Sequence, residues 1–189
     1  KIIMPLDLHF PIKIYKEYIH SIDVEDFKKM CLNKELEDEK GRLICTEKFP
    51  FGYTSYFTDE HIDDPIIETL MSKIMPHAFE YAKILRSNID GNNDFHLKVF
   101  SEWINVGRKY NYHPVHNHAN CFISGIFYLT DVSGIKFFNF NAYQQEGVYY
   151  ESRPNLLLLW PGWLYHEAQQ IMVDGPKMSI SFNIGLFTE

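Results

Sequence analysis

From Phe95 onward, apolar and polar side chains alternate largely with a period of two, and no other feature restricts the fold of this chain as much. The alternation is strictest near the end. Lys177, Ser179, Ser181 and Asn183 share one parity, while Met178, Ile180, Phe182 and Ile184 share the other. Such a segment forms a strand with one polar and one apolar face. Strands are expected over 95–106, 121–130, 135–140, 147–150, 156–160 and 177–187.

The part before Phe95 reads differently. Residues 9–19 alternate roughly and predict an N-terminal strand, with Pro11 suited to an edge or a strand start. Asp23 is placed as a helix N-cap before Val24, Phe27, Met30 and Cys31, which recur at helical spacing. The Lys- and Glu-rich run from Asn33 to Arg42, closing with Gly41, is expected to be a solvated helix end and turn. The segment FPFGYTSYF, Phe49 to Phe57, reads as a loop whose aromatics pack onto the core in preference to forming a substrate lid. Asp64-Pro65 starts a second helix, buried along Ile67, Leu70, Met71, Ile74, Ala78, Tyr81 and Leu85. Pro76 is expected to kink or interrupt it, and 87–94 is a turn cluster. Helices laid on a mostly antiparallel sheet or barrel, an α+β arrangement dominated by β, follow from this order.

A length of 189 residues suits one domain, here 1–94 as a supporting strand and helices and 95–189 as a β core. A hydrophobic fraction of 46% and an aromatic fraction of 16% match a packed protein rather than a disordered one. The formal charge of -7 gives no footprint for general nucleic-acid binding. Cys31, Cys45 and Cys121 are odd in number and form no CxxC pair, which fits a reducing compartment, and the expected location is cytoplasmic. Neither a run of about 18 apolar residues nor a basic-then-apolar leader is seen, so neither a membrane span nor a signal peptide is expected.

Chemistry concentrates in two stretches. In YHPVHNHANCFISGIFYL, Tyr112 to Leu129, His116 and His118 lie two apart and share one face of an extended segment, so both imidazoles reach one ion. His113 has the opposite parity and is left out of the ligand set, with a second-sphere or substrate-facing position still open. In LLLLWPGWLYH, Leu156 to His166, an apolar strand and a Pro161-Gly162-Trp163 turn deliver His166 as the third ligand. His9, His20, His61, His77 and His96 have no partners at ligand spacing. Eleven residues past His166, Lys177 heads the polar face of the final strand, followed by small hydroxyl residues. That pattern suits an inward-facing carboxylate clamp as well as a solvated face.

These residues resemble the 2-oxoglutarate- and Fe(II)-dependent oxygenases, in particular the small bacterial and phage-type group related to prolyl 4-hydroxylases. The resemblance covers roughly Trp103 to Leu186. It rests on Tyr112, His116-Asn117-His118, the SGIFYL segment Ser124 to Leu129, Trp160 to His166 and the SISFN strand Ser179 to Asn183. It implies a double-stranded β-helix, a jelly-roll and cupin-like core with flanking N-terminal helices. It also implies Fe(II) held by His116, His118 and His166, and 2-oxoglutarate held through its C5 carboxylate by Lys177, Ser179 and Tyr128. Asn105 would help orient the cosubstrate, and Arg153 would be a secondary anion contact. The implied reaction consumes O2 and 2-oxoglutarate, releases succinate and CO2, and hydroxylates a small-molecule or peptide substrate. Trp103, Trp160, Trp163 and Phe138 are candidate pocket walls, with core packing as their commoner role.

Two residues depart from the family pattern. His118 stands where the family usually has Asp or Glu, and the clamp is Lys, a point charge rather than a bidentate fork. Imidazole-rich sites also suit Zn, Ni and Cu. Two other readings stay open: a cupin-type dioxygenase that does not use 2-oxoglutarate, and a non-catalytic metal-binding barrel. Against the cupin, the positions four and five after the pair, where a Glu is expected, hold Phe122 and Ile123.

Overall fold

A computed structural model describes residues 12–59, 61–86, 94–139 and 147–188. The chain begins with β1 (Tyr15–Tyr18), α1 (Val24–Glu37), α2 (Glu39–Lys48), β2 (Gly52–Thr54), a 3-10 turn (Ser55–Phe57) and α3 (Pro65–Arg86). It continues with β3 (His96–Gly107), β4 (His113–His116), β5 (Ile123–Tyr128), β6 (Gly134–Phe138) and β7 (Gly147–Glu151). β8 (Leu156–Pro161), β9 (His166–Ala168) and β10 (Lys177–Phe187) complete it. A six-stranded sheet, ordered β1-β8-β5-β10-β3-β2, faces a four-stranded one, ordered β4-β9-β6-β7. All pairings are antiparallel, as the jelly-roll expectation requires.

The central strands β5 and β8 of the larger sheet are buried on both faces, which explains the unbroken apolar run in β8. Leu157 and Leu159 join α3 residues such as Leu70, Ile74 and Ala78 in one core, whereas Leu156, Leu158 and Trp160 join Ile126, Tyr128 and Phe137 in the other. β10 divides in the same way. Met178, Ile180, Phe182 and Ile184 belong to the helix-side core. Lys177, Ser179 and Asn183, on the opposite parity, are also buried, so the polar face turns inward and not to solvent.

Several local expectations change. The run from Asn33 to Arg42 is a junction between two helices. Asp38 follows α1 and caps α2, its carboxylate accepting from Gly41 N–H at 2.8 Å, and Gly41 is buried within α2. α3 runs through Pro76 without interruption. Pro76 and Ser72, whose carbonyl loses its helical donor, are both exposed, so water can take that carbonyl. The strand foreseen over 9–19 is observed as Tyr15–Tyr18, at the sheet edge, while residues 9–11 lie outside the described residues. Part of the turn cluster at 87–94 also falls outside them. Asp23 and Asp64 cap as foreseen, accepting from Glu25 N–H at 3.0 Å and Ile66 N–H at 2.9 Å. Cys31, Cys45 and Cys121 are free thiols. Among the described residues, no helix is long and apolar enough to cross a membrane.

Candidate metal centre

β4 and β9 are too short to show a period in sequence, and they carry two of the three histidines. His116 pairs directly with His166 across this ladder, and His113 with Ala168. Between those pairs two residues of β4, Pro114 and Val115, thus oppose the single Glu167 of β9, the mark of a β-bulge. The bulge defeats the parity argument: His113 lines the same cavity as His116, His118 and His166, its ring centroid 4.0 Å from that of His116. It stays outside the ligand cluster, however, which consists of His116, His118 and His166 with candidate ligand atoms all within 4.8 Å of one another.

His118 sits beyond the end of β4 and is fixed by the Pro161-Gly162-Trp163 turn. Its N–H donates to the Gly162 carbonyl at 2.8 Å, and Gly162 N–H donates to the Phe122 carbonyl at 3.2 Å. A Cβ at Gly162 would lie 2.3 Å from the Cys121 carbonyl oxygen and 2.5 Å from that of His118. Only glycine permits this approach, which locks the segment bearing His118 against the one leading to His166.

The tautomers also suit a metal. His116 Nδ1 lies 2.8 Å from the Pro114 carbonyl and His166 Nδ1 3.0 Å from the Leu164 carbonyl. A ring nitrogen facing a carbonyl carries the proton, which leaves each Nε2 lone pair free. Burial, reinforced by neighbouring imidazoles, pushes His166 down to about 2, His113 to about 3 and His118 to about 4. Burial also lowers His116. The cluster is therefore held neutral, the form that binds a cation.

The strand register supplies a floor. Ser179 of β10 lies opposite Asn105 of β3 on one side and Tyr128 of β5 on the other, so three cosubstrate candidates form one row. Lys177 lies opposite Gly107, whose missing side chain lets Asn111 and Ile171 pack close to the backbone there. Its ammonium donates to the Gly134 carbonyl at 3.0 Å and sits 5.7 Å from the Tyr128 ring centre. Burial brings its pKa down to about 8. The Tyr128 hydroxyl is fully buried with no hydrogen-bond partner among the described residues, as is Trp160 Nε1. A buried cation beside an orphaned hydroxyl fits a carboxylate absent from the protein itself. The residues present therefore fit a dication next to a dicarboxylate.

The cavity that unites these groups has a volume of about 330 Å³. Trp103 and Trp160 line it, as foreseen. Trp163 is instead 54% exposed, and neither it nor Phe138 is among the lining residues. Arg153 is not among them either and pairs with Glu151 at 2.6 Å. The segment Phe49–Phe57, read as loop packing, contains β2 and the 3-10 turn, and Phe49, Tyr53, Tyr56 and Phe57 wall the cavity. Ser124 and Asn183, their side chains bonded at 2.9 Å, add a buried polar pair at the cavity surface that sequence patterning did not single out as a site.

No protein-family model matches the chain, and no curated protein matches it by sequence. Solved structures do match. A prolyl-4-hydroxylase from Pseudomonas putida superposes with a TM-score of 0.61 at 12% identity, covering 91% of this chain and 92% of that one. HygX from Streptomyces hygroscopicus, solved with nickel and 2-oxoglutarate bound, gives 0.58 at 11% identity over 92% of this chain and 83% of its own. A 2OG-Fe(II) oxygenase family protein from Burkholderia pseudomallei gives 0.50 at 11% identity, with 66% of this chain covering 60% of that one. At such identities the likeness is one of architecture, and the chain has the fold of the 2-oxoglutarate- and Fe(II)-dependent oxygenases.

Proposed function

We propose that this chain is a 2-oxoglutarate- and Fe(II)-dependent oxygenase that hydroxylates its substrate. The observation that carries the reading is one cavity holding both a neutral three-histidine cluster and a buried ammonium beside an unpartnered tyrosine hydroxyl. His116, His118 and His166 would hold the metal, and Lys177, Tyr128 and Ser179 the distal carboxylate of the cosubstrate, with Asn105 in the same row. When bound, iron, O2 and 2-oxoglutarate supply the oxidising power for C–H hydroxylation, with succinate and CO2 released. The chain's own residues do the rest. The Pro114 and Leu164 carbonyls hold two imidazoles in the ligating tautomer. Lys177 neutralises a carboxylate at the closed end, and Trp160, Ile126 and Ile135 keep water from that end.

The test is anaerobic titration of the protein with Fe(II) and then 2-oxoglutarate. The expected result is a weak visible charge-transfer band that is lost in Lys177→Ala. Tight metal binding with no response to 2-oxoglutarate would favour the cupin-type reading instead. A band with no succinate formed under air, at shown iron occupancy, would favour a non-catalytic barrel.

A further inference from the structure

One run of the cavity wall is built of rings in contact with one another. Trp103 stacks on His118 with centroids 5.7 Å apart and meets Tyr56 edge-on at 5.0 Å. Tyr56 meets Phe57 at 5.8 Å, Phe57 stacks on Phe49 at 5.6 Å, and Phe49 meets His113 edge-on at 4.8 Å. His113 lies 4.0 Å from His116, which lies 5.1 Å from His118, and the circuit closes. All seven rings line the cavity. The collar contains two of the proposed metal ligands but neither Lys177 nor Tyr128, the residues proposed to hold the distal carboxylate of the cosubstrate. It runs from Trp103, 8% exposed, to Tyr56, 40% exposed, and so has an open side.

Charge narrows what this collar takes. Among the described lining residues there is no Asp or Glu, and Lys177 is the one Lys or Arg. Because His118 replaces a carboxylate, the metal dication, the cosubstrate dianion and the Lys177 ammonium would leave one net positive charge. An ammonium-bearing substrate would meet repulsion with no carboxylate to offset it. Aromatic rings present both faces and edges to a flat π-system, which an aliphatic group of equal size cannot match.

We infer that the prime substrate presents a flat aromatic group without positive charge, received by the collar of Trp103, Tyr56, Phe57, Phe49 and His113. This rests on the oxygenase reading above. The test uses the full chain loaded with Mn(II) and 2-oxoglutarate, and follows paramagnetic broadening of probe protons by NMR. The probes are indole-3-acetate, indole-3-acetamide, tryptamine and cyclohexylacetamide.

The two uncharged or anionic indoles should bind about tenfold more tightly than tryptamine or cyclohexylacetamide. Tyr56→Leu and Phe57→Leu should each weaken them by about fivefold to tenfold, while a retained Fe(II)/2-oxoglutarate band reports that the variant is folded. Equal binding of cyclohexylacetamide, preference for tryptamine, or indifference to both variants overturns the inference while the oxygenase reading stands. Absence of the band in the unmodified protein overturns both.

Discussion

Burying the Lys177 ammonium costs free energy that one carbonyl acceptor does not fully offset. Its folded pKa of about 8 lies below the ordinary 10.5, so between those values the unfolded chain holds a proton that the folded one lacks. Stability therefore rises with pH through that window, and the cost is present in full below about 8. Lys177→Met should stabilise the metal-free protein by about 1–3 kcal/mol in denaturant melts while abolishing the response to 2-oxoglutarate. On the proposed function, in which the Lys177 ammonium grips the cosubstrate carboxylate, affinity for 2-oxoglutarate should be flat up to pH about 8 and then fall by about tenfold per unit. Calorimetry across that range checks it, and Lys177→Arg should lose the inflection. At the metal, His118→Ala should weaken binding on the order of 100-fold, whereas His118→Asp should retain the ion, both measured by competition with a chelator.

At the scale of elements, the Pro161-Gly162-Trp163 turn decides whether the two histidine-bearing segments meet. Gly162→Ala puts a methyl group into the Cys121 and His118 carbonyls, which are backbone and cannot swing aside. It should cost about 2–4 kcal/mol and weaken metal binding about tenfold or more, visible as a lower Tm and a right-shifted titration. How legible each element was follows from its length and from what reads it. β10 has 11 residues, and its alternation in Lys177 to Ile184 reports two faces without help from neighbours. β4 and β9, with four and three residues, carry no period, and the bulge between His113 and His116 reverses the facing that parity assigns to His113. Gly41 reads as a stop until Asp38 is seen to cap a second helix around it. The proposed ligands and Lys177 could be named because two histidines lie two apart, a third ends an apolar strand and turn, and Lys177 heads the polar face of β10. The aromatic collar could not, since phenylalanine and tyrosine look the same in a core and in a binding wall.

For the molecule as a whole, the proposed ligands His116 and His166 stand fifty positions apart in the chain, so an ion held between them acts as a cross-link present only in the folded state. Metal at about 100 times its Kd should stabilise the protein by about 2.7 kcal/mol, or roughly 5–10 °C in Tm for a domain of this size. A chelator should reverse it, as a thermal melt with and without EDTA would show. The sheet order carries a consequence in time as well. β10 comes last among the strands yet lies between β3 and β5. During synthesis those two strands leave the ribosome long before the strand that joins them exists. Until then the row of Asn105, Ser179 and Tyr128 has no centre, and both inner edges stand unpaired. The row is thus completed only once β10 has emerged, and the interval before it, with two strand edges unpaired, is one of exposure to aggregation.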